Sequence, residues 1–465
     1  MSAQNTTTDY LILGSGAVGM AFADVLLDET DADIVIVDRH AAPGGHWNDA
    51  YPFVTLHQPS AFYGVNSIEL SRGRVDQDGL NAGLNELATG TEVLAYFDDV
   101  MRHKFLPSGR VRYFPMCHYE GEGRFENVLT GEQHSITPQR KTVDATWLKT
   151  SVPSTHTPNF SIAEGVTLIP PNQLPRVDTR HDDIVIVGAG KTAMDTVLWL
   201  LGNGVDPDAI RWITPRDSWV LNRKMTQPGV DFFLDTFGAV ADQMQAIAEA
   251  SDLDDLWLRL EAAGNMLRID PDRMPEMFHG ATVSEAELAQ LRRIKNVVRL
   301  GRISAIETDR IVMAEGEIPA SANTLYVDCS ARAIPNEDIT PIFNGNLITP
   351  QTVRPYQPVF SAALIAHIEA AYDSEAQKNE LCEVVPLPNN AADWAAMTLV
   401  GMMNQYKWSQ EEGIRAWMKQ SRLDGLSSTL MQIDKKAPDN QAVLQRMRNY
   451  MMPAAANLQK LIAAA

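Results

Sequence analysis

Apolar and polar positions alternate along this chain in a recurring arrangement: a short apolar run, a turn of small residues, then apolar positions at helical spacing. Tyr10-Leu11-Ile12-Leu13 reads as a strand buried on both faces. Gly14-Ser15-Gly16-Ala17-Val18-Gly19 follows it, then a helix through Ala23 and Leu27, then a second apolar run, Ile34–Val37, ending on Asp38. The arrangement repeats at Ile184-Val185-Ile186-Val187, with the turn Gly188-Ala189-Gly190-Lys191-Thr192-Ala193 and a helix carrying Met194, Val197, Leu198 and Leu201. That helix stops at Gly202-Asn203-Gly204, and the next strand, Ile210–Ile213, leads to Pro215-Arg216. Further on, Phe237, Val240, Met244 and Ile247 recur at helical spacing, as do Leu253, Leu256, Trp257 and Leu260, and Thr282-Val283-Ser284-Glu285 reads as a capping box opening a third helix. Two segments, Thr142 to Thr146 and Thr324 to Ala331, read as strands running into small-residue turns.

Strands followed by glycine-rich turns and crossover helices predict an α/β fold with parallel sheets. The two copies predict two nested Rossmann-like dinucleotide-binding units. The expected division is 1–150 for the first part of one unit, 151–325 for a second unit with a helical insert at about 229–294, 326–380 for the part completing the first, and 381–465 for a helical C-terminal region. On this division the strand at 324–331 is expected to complete the first unit.

Each turn carries a chemical reading. In the first, Gly14 permits the tight turn, Gly16 lets the backbone approach a pyrophosphate, Ala17 opens the helix, and Gly19 allows helix and strand to pack. Asp38 ends the second strand, where a carboxylate accepts hydrogen bonds from ribose hydroxyls, with Arg39 beside it. In the second turn, Gly188, Gly190, Lys191 and Thr192 are the expected nucleotide contacts. No acid ends the following strand. Arg216 stands beyond it, and a guanidinium suits a 2′-phosphate, so NADPH is expected over NADH.

Composition narrows the classes. With 39 basic and 59 acidic residues in 465, the net charge is −20, which disfavours nucleic acid and anionic membranes as partners. The three cysteines, Cys117, Cys329 and Cys382, are far apart and exclude a dithiol redox pair or a cysteine zinc site, so no metal is expected. The start, Met1 to Asp9, has no basic and apolar leader pattern, and no apolar run reaches membrane-spanning length; a cytoplasmic location is the expectation.

Soon after Asp38 comes Pro43-Gly44-Gly45-His46-Trp47, then Tyr51-Pro52. A second glycine pair so close to the acid serves a cofactor longer than a nicotinamide nucleotide. Here the chain resembles the flavin-containing monooxygenase and Baeyer–Villiger monooxygenase group. The resemblance implies FAD on the first unit, with Gly14, Gly16, Gly19, Asp38, Gly45 and Trp47 as its contacts; Ala17, Arg39 and His46 are candidates by their place beside these residues. His46 departs from the small or hydroxyl residue usual there. The chain also lacks the Phe-x-Gly-x-x-x-His fingerprint of that group: Phe160-Ser161-Ile162-Ala163-Glu164-Gly165 leads to His181 without it. It reads as a divergent relative.

Candidate catalytic groups follow from position. His57, Gln58 and Ser60 lie in the loop after Tyr51-Pro52, where the resemblance implies residues lining the flavin. Gln357 and Pro358 open a helix whose positive end faces negative charge developing on a reduced flavin. Arg354 lies within chain reach of that point, as a candidate for holding reduced flavin or a peroxide anion. The expected activity is an FAD- and NADPH-dependent monooxygenase acting with dioxygen on an apolar or aromatic small molecule. The alternatives are an FAD oxidase or dehydrogenase with a vestigial second nucleotide site, and a flavin-fold protein that binds a partner without redox chemistry. The Met- and Trp-rich region after Cys382 reads mainly as core packing. The last helix packs either on its own chain or on a second copy in a homodimer.

Overall fold

The computed structural model describes residues 5–321, 323–335 and 338–464. The chain begins with β1 (Asn5–Leu13), α1 (Ala17–Glu29), β2 (Ile34–Val37), α2 (Gly90–Val100), β3 (Val111–Phe114), a hairpin of β4 (Cys117–Gly121) and β5 (Arg124–Asn127), and β6 (Gln133–Asp144). β1 runs parallel to β2 and to β6, with Leu11 opposite Val35 on one side and Thr142 on the other. Leu11, Ile12 and all of Ile34–Val37 are buried, as a parallel strand covered on both faces requires.

A second sheet begins after it. β7 (Ser161–Ile162), β8 (Thr167–Ile169), β9 (Asp183–Val187), α3 (Lys191–Gly202) and β10 (Ile210–Ile213) lead into the insert. The insert holds β11 (Ser218–Asn222), α4 (Phe233–Glu249), α5 (Leu253–Ala262), β12 (Met266–Leu267), β13 (Met277–Val283) and α6 (Glu285–Leu291). β14 (Val297–Val298), β15 (Ile303–Ile306), β16 (Arg310–Met313), β17 (Gly316–Pro319) and β18 (Thr324–Asp328) complete this half. Its main sheet runs β14-β10-β9-β18-β8 with every pairing parallel, and β17-β16-β15-β7 forms a side sheet.

Three sequence expectations are corrected here. The strand at 324–328 lies in the second sheet, not the first: β18 pairs with β9, Tyr326 opposite Val185. Its five residues are all buried, so its run suits a central strand, and the chain uses it before leaving the second unit. The return to the first sheet is made by β19 (Phe343–Asn344) and β20 (Leu347–Ile348), the latter parallel to β6. The insert is not purely helical, because β12-β11-β13 form a three-stranded sheet within it. The third helix is capped by Ser284, with Glu287 completing the box, because Thr282 is still in the strand.

The chain closes with α7 (Pro358–Ala371), α8 (Glu375–Leu381), α9 (Ala391–Gln410), α10 (Glu412–Gln420), α11 (Leu426–Gln432) and α12 (Pro438–Ala464). α7 lies against α1 under the first sheet. Trp408, Trp417 and Met418 join that core, while Trp394 and Met397 join the core of the insert. The tail thus ties the two together. α12 packs on α4 of its own chain, where Val443 meets Phe233 and Phe237. Among the described residues no helix is long and apolar enough to cross a membrane.

Candidate dinucleotide-binding site

The first turn is tightly built. An added Cβ at Gly19 would stand 2.0 Å from the Gly14 carbonyl oxygen, so helix and strand meet there with no room for a side chain. Gly16 caps α1 without a side-chain hydrogen bond, leaving the first N–H groups of the helix without side-chain acceptors. Its open side faces the glycine pair: a Cβ on Gly16 would lie 3.4 Å from Cα of Gly45, and the Gly44 N–H donates to the Ser15 carbonyl at 2.9 Å. Gly44 and Gly45 both have positive φ, +122° and +56°, a conformation open to glycine at little cost. The turn and the glycine pair, separated by some thirty residues of sequence, therefore form one backbone-lined cradle.

Asp38 sits at its edge, buried. Its Oδ2 accepts from the Ser15 N–H and, at 2.8 Å, from the Ser15 hydroxyl, while Oδ1 accepts from the His40 N–H at 2.8 Å and faces its Nδ1 at 3.0 Å. Burial alone would raise this carboxyl, but the bonds from His40 and Ser15 hold it below its ordinary value. Those from Asp38 raise His40, whose other nitrogen reaches Asp49 at 2.8 Å. Arg39 is exposed, 3.9 Å from Asp49. His46 stacks on Trp47 at 5.4 Å and 29°, and burial lowers it to about 4, so it is neutral at pH 7. The Trp47 indole donates to the Tyr63 hydroxyl at 2.7 Å. Ala17 is half-buried at the first position of α1.

The second turn is open where the first is closed. Gly190 caps α3 without a side-chain bond, and a Cβ built on it meets nothing within 4 Å. Gly188 instead lies against the chain; the Trp212 indole donates to its carbonyl at 2.7 Å. Thr192 is half-buried on the first turn of α3. The Lys191 ammonium does not point to the turn: it pairs with Asp195 one helical turn along. Arg216 is exposed beyond β10, with no hydrogen-bond or ion-pair partner among the described residues. Sequence reasoning passed over Arg299, which lines a small cavity with Ala189 and Trp212 and pairs with Asp217 at 2.7 Å and Asp270 at 3.0 Å.

The remaining candidates divide. His57 lies in the loop between the two turns, and burial with Lys191 and Arg223 nearby drives its imidazole well below the usual range. Arg223, which sequence reasoning also missed, is fully buried and donates to the His57 carbonyl at 3.1 Å and to Glu287 at 2.8 Å. Gln58 is half-buried in the same loop. Arg354 differs from expectation: its guanidinium is buried, pairs with Asp424 at 2.6 Å and lies 3.6 Å over the Phe360 ring. Gln357 caps α7 and accepts from Arg354 at 3.3 Å. A cavity of about 330 Å³ lies between Phe62, Pro228 and Gly229, and the segment from Lys419 to Gln432, with Arg422 in its lining.

These features define an α/β protein with two dinucleotide-type turns, each following a buried strand paired in parallel with its neighbours, and with the loop after the glycine pair reaching from the first to the second through Tyr51 and Asp195. No family model matches the chain. It is 46% identical over 466 residues to uncharacterized proteins of Mycobacterium tuberculosis and Mycobacterium bovis, covering 100% of this chain and 86% of theirs, and it belongs to the family they form. Among solved structures it is similar to an open form of cyclohexanone monooxygenase, at 13% identity and TM-score 0.49 over 88% of this chain and 99% of that one. A flavin-containing monooxygenase from Stenotrophomonas maltophilia aligns at 15% identity and TM-score 0.45, over 81% of this chain and 99% of that one. A polycyclic ketone monooxygenase from Thermothelomyces thermophila aligns at 12% and 0.47, over 99% of this chain and 89% of that one.

Proposed function

We infer that the chain is an FAD-dependent oxidoreductase that takes hydride from NADPH and, with dioxygen, oxygenates an apolar or aromatic small molecule. The observation that carries this reading is the pair of helices, α1 and α3, each starting at an uncapped glycine after a buried parallel strand. Free N–H groups at a helix N-terminus, with the positive end of its dipole, suit a pyrophosphate even on an acidic protein. Both turns fit such a group. At the first, Gly16 and Gly45 bring two backbones together with no side chain between them; at the second, the space beside Gly190 is empty of protein atoms.

Bound on the first unit, FAD would supply hydride acceptance and oxygen chemistry. The protein's part is to bind, orient and exclude water. The amides opening α1, with Gly16 and Gly45, would hold its pyrophosphate, while Asp38 fixes the turn through Ser15. Neutral His46 and buried Trp47 would flank the cofactor without adding charge. At the second unit, Gly190 and the amides of Lys191 and Thr192 would hold NADPH, and Arg216 has a guanidinium without a protein partner for a 2′-phosphate. Arg354 is assigned a structural role, because Asp424 already uses its charge.

A second reading has its own observation. Lys191, a residue expected at the nucleotide, is turned away onto Asp195, which suits an FAD oxidase or dehydrogenase whose second site is vestigial. Anaerobic mixing of the yellow protein with NADPH separates the two. Rapid bleaching of the flavin band is the expected result; no bleaching, with FAD retained, favours the vestigial site, and protein that never retains FAD ends both readings.

A further inference from the structure

The loop that follows the glycine pair is gripped by the second unit. The Tyr51 hydroxyl donates to Asp195 Oδ2 at 2.7 Å, and the other carboxylate oxygen pairs with Lys191. The side chains of Lys191 and Asp195 are only 8% and 11% exposed. One helical turn further along α3, Trp199 stacks on Phe53 at 5.0 Å and 23°, and Phe53 lies 4.8 Å from the Tyr51 ring. Residues 191, 195 and 199 thus form one stripe of the helix. Beside them, Asn172 donates to the carbonyls of Asp49 and Ala50 at 2.9 and 3.0 Å, and Ser154 to that of Asp49 at 2.6 Å.

The ring stack alone would suffice to cover apolar surface. A carboxylate in the same interface is costly unless it is paired and hydrogen-bonded, and Asp195 has one partner of each kind. Burial and the neighbouring carboxylate hold the Tyr51 phenol well above its ordinary value, so it remains a donor throughout the neutral range. The bond joins the loop after the first unit's glycine pair to the first turns of the helix behind Gly190. It is short and directional, and it runs between the two places where the two dinucleotides would sit.

We propose that Tyr51 and Asp195 are positioning residues that fix the second nucleotide-binding turn relative to the first, with Lys191 neutralising the buried carboxylate rather than serving as a phosphate ligand. The proposal rests on the reading that both turns hold dinucleotides. Its consequence is kinetic: hydride transfer needs the reacting atoms about 3–3.5 Å apart, and a misplacement of about 1 Å can lower the rate about a hundredfold while binding is kept.

The test uses the FAD-loaded protein, Tyr51→Phe, Asp195→Ala, their double variant and Asp195→Asn, which keeps an acceptor for the phenol. Hydrogen exchange without nicotinamide nucleotide is expected to quicken together at 51–57 and 188–195 in Tyr51→Phe. NADP+ affinity is expected to stay within about threefold, while flavin reduction at saturating NADPH falls about tenfold or more in either single variant and no further in the double. Asp195→Asn recovers most of the rate lost in Asp195→Ala; if the alanine variant does not fold, Tyr51→Phe and Asp195→Asn carry the comparison. The proposal is overturned by a Tyr51→Phe rate within about twofold of the parent, by losses that add in the double variant, or by exchange that quickens in only one segment. If the parent binds FAD and NADP+ but is not reduced, the functional reading fails instead. The exchange result then decides by itself whether Tyr51 fastens the two units.

Discussion

The two glycine-rich turns share a sequence pattern and differ in what surrounds them. The first is closed: Gly16 faces Gly45, Asp38 is bound to Ser15 and His40, and Gly19 touches the Gly14 carbonyl. The second is open at Gly190, exposed at Arg216, and carries Ala193 in place of a third glycine. A closed cradle suits a cofactor that stays through many turnovers, and an open one suits a nucleotide that arrives and leaves. The same motif, set in two surroundings, has two different jobs for its glycines.

The largest effect that would sharpen this contrast is at the third small position. Gly19→Ala places a methyl carbon about where the Gly14 oxygen already stands, and neither is on a flexible side chain. It is expected to cost more than about 3 kcal/mol, because overpacking against backbone has no cheap relaxation. The reciprocal Ala193→Gly at the second turn removes a buried methyl without any overpacking, and should cost about 1–2 kcal/mol from helix propensity and lost burial together. Urea midpoints of the two variants measure the difference, and similar losses at both sites would erase the distinction between closed and open turns.

Next in size are the central glycines. Gly16→Ala meets Gly45 at a distance tight but tolerable, so the fold should survive while FAD retention falls by about tenfold or more, since phosphate and methyl need the same space. Gly190→Ala meets no protein atom, so its stability should change by no more than the ~1 kcal/mol of a cap substitution, and only NADP+ affinity should drop. Flavin absorbance after gel filtration and NADP+ titration read the two. A Gly16→Ala protein with full FAD would remove the cofactor from the first turn.

How much of this was visible in the sequence depends on whether an interaction is local. Both turns, their strands and their helices were legible because glycine spacing and apolar runs act over a few residues. The placement of 324–328 was not, because a run buried on both faces fits either parallel sheet, and only pairing with β9 decides. Arg354 lies within chain reach of the start of α7, which the sequence shows, but its partner Asp424 lies 70 residues on and sequence offers no rule that links them. Tyr51 and Asp195 were invisible as a pair for the same reason, at a separation of 144 residues. Lys191 and Asp195, four apart on a helix, did carry a legible signal, since opposite charges at that spacing meet.

A smaller effect tests the open turn by its charge. Arg216→Ala should weaken NADPH binding by roughly 1.5–3 kcal/mol, the range for a hydrogen bond to a charged group, and leave NADH nearly unchanged. Equal losses for both would assign Arg216 to structure and move attention to Arg299, beside Ala189.

The smallest effect contrasts the two turns by acid. His46 lies by the glycine pair, faced by Asp49 and His40; His57 faces Lys191 and Arg223 on the side of the second turn. Burial lowers both, His46 to about 4. In the unfolded chain each takes up its proton near pH 6.5, whereas the folded protein resists until far lower pH. The unfolded state therefore binds more protons between pH 6.5 and 4, and stability falls as pH falls through that window. His40 acts oppositely: its raised value stabilises the fold below pH 6.5, a contribution lost as pH rises through the folded value. His46→Gln should shrink the loss between pH 7 and 5 by about 1 kcal/mol, discounted for partial exposure, and His57→Gln should shrink it too. His40→Gln should deepen the loss. Melting temperatures across that range measure all three, and a His57→Gln protein with the parent's full acid sensitivity would show that its imidazole reaches water and that the loop between the turns is open.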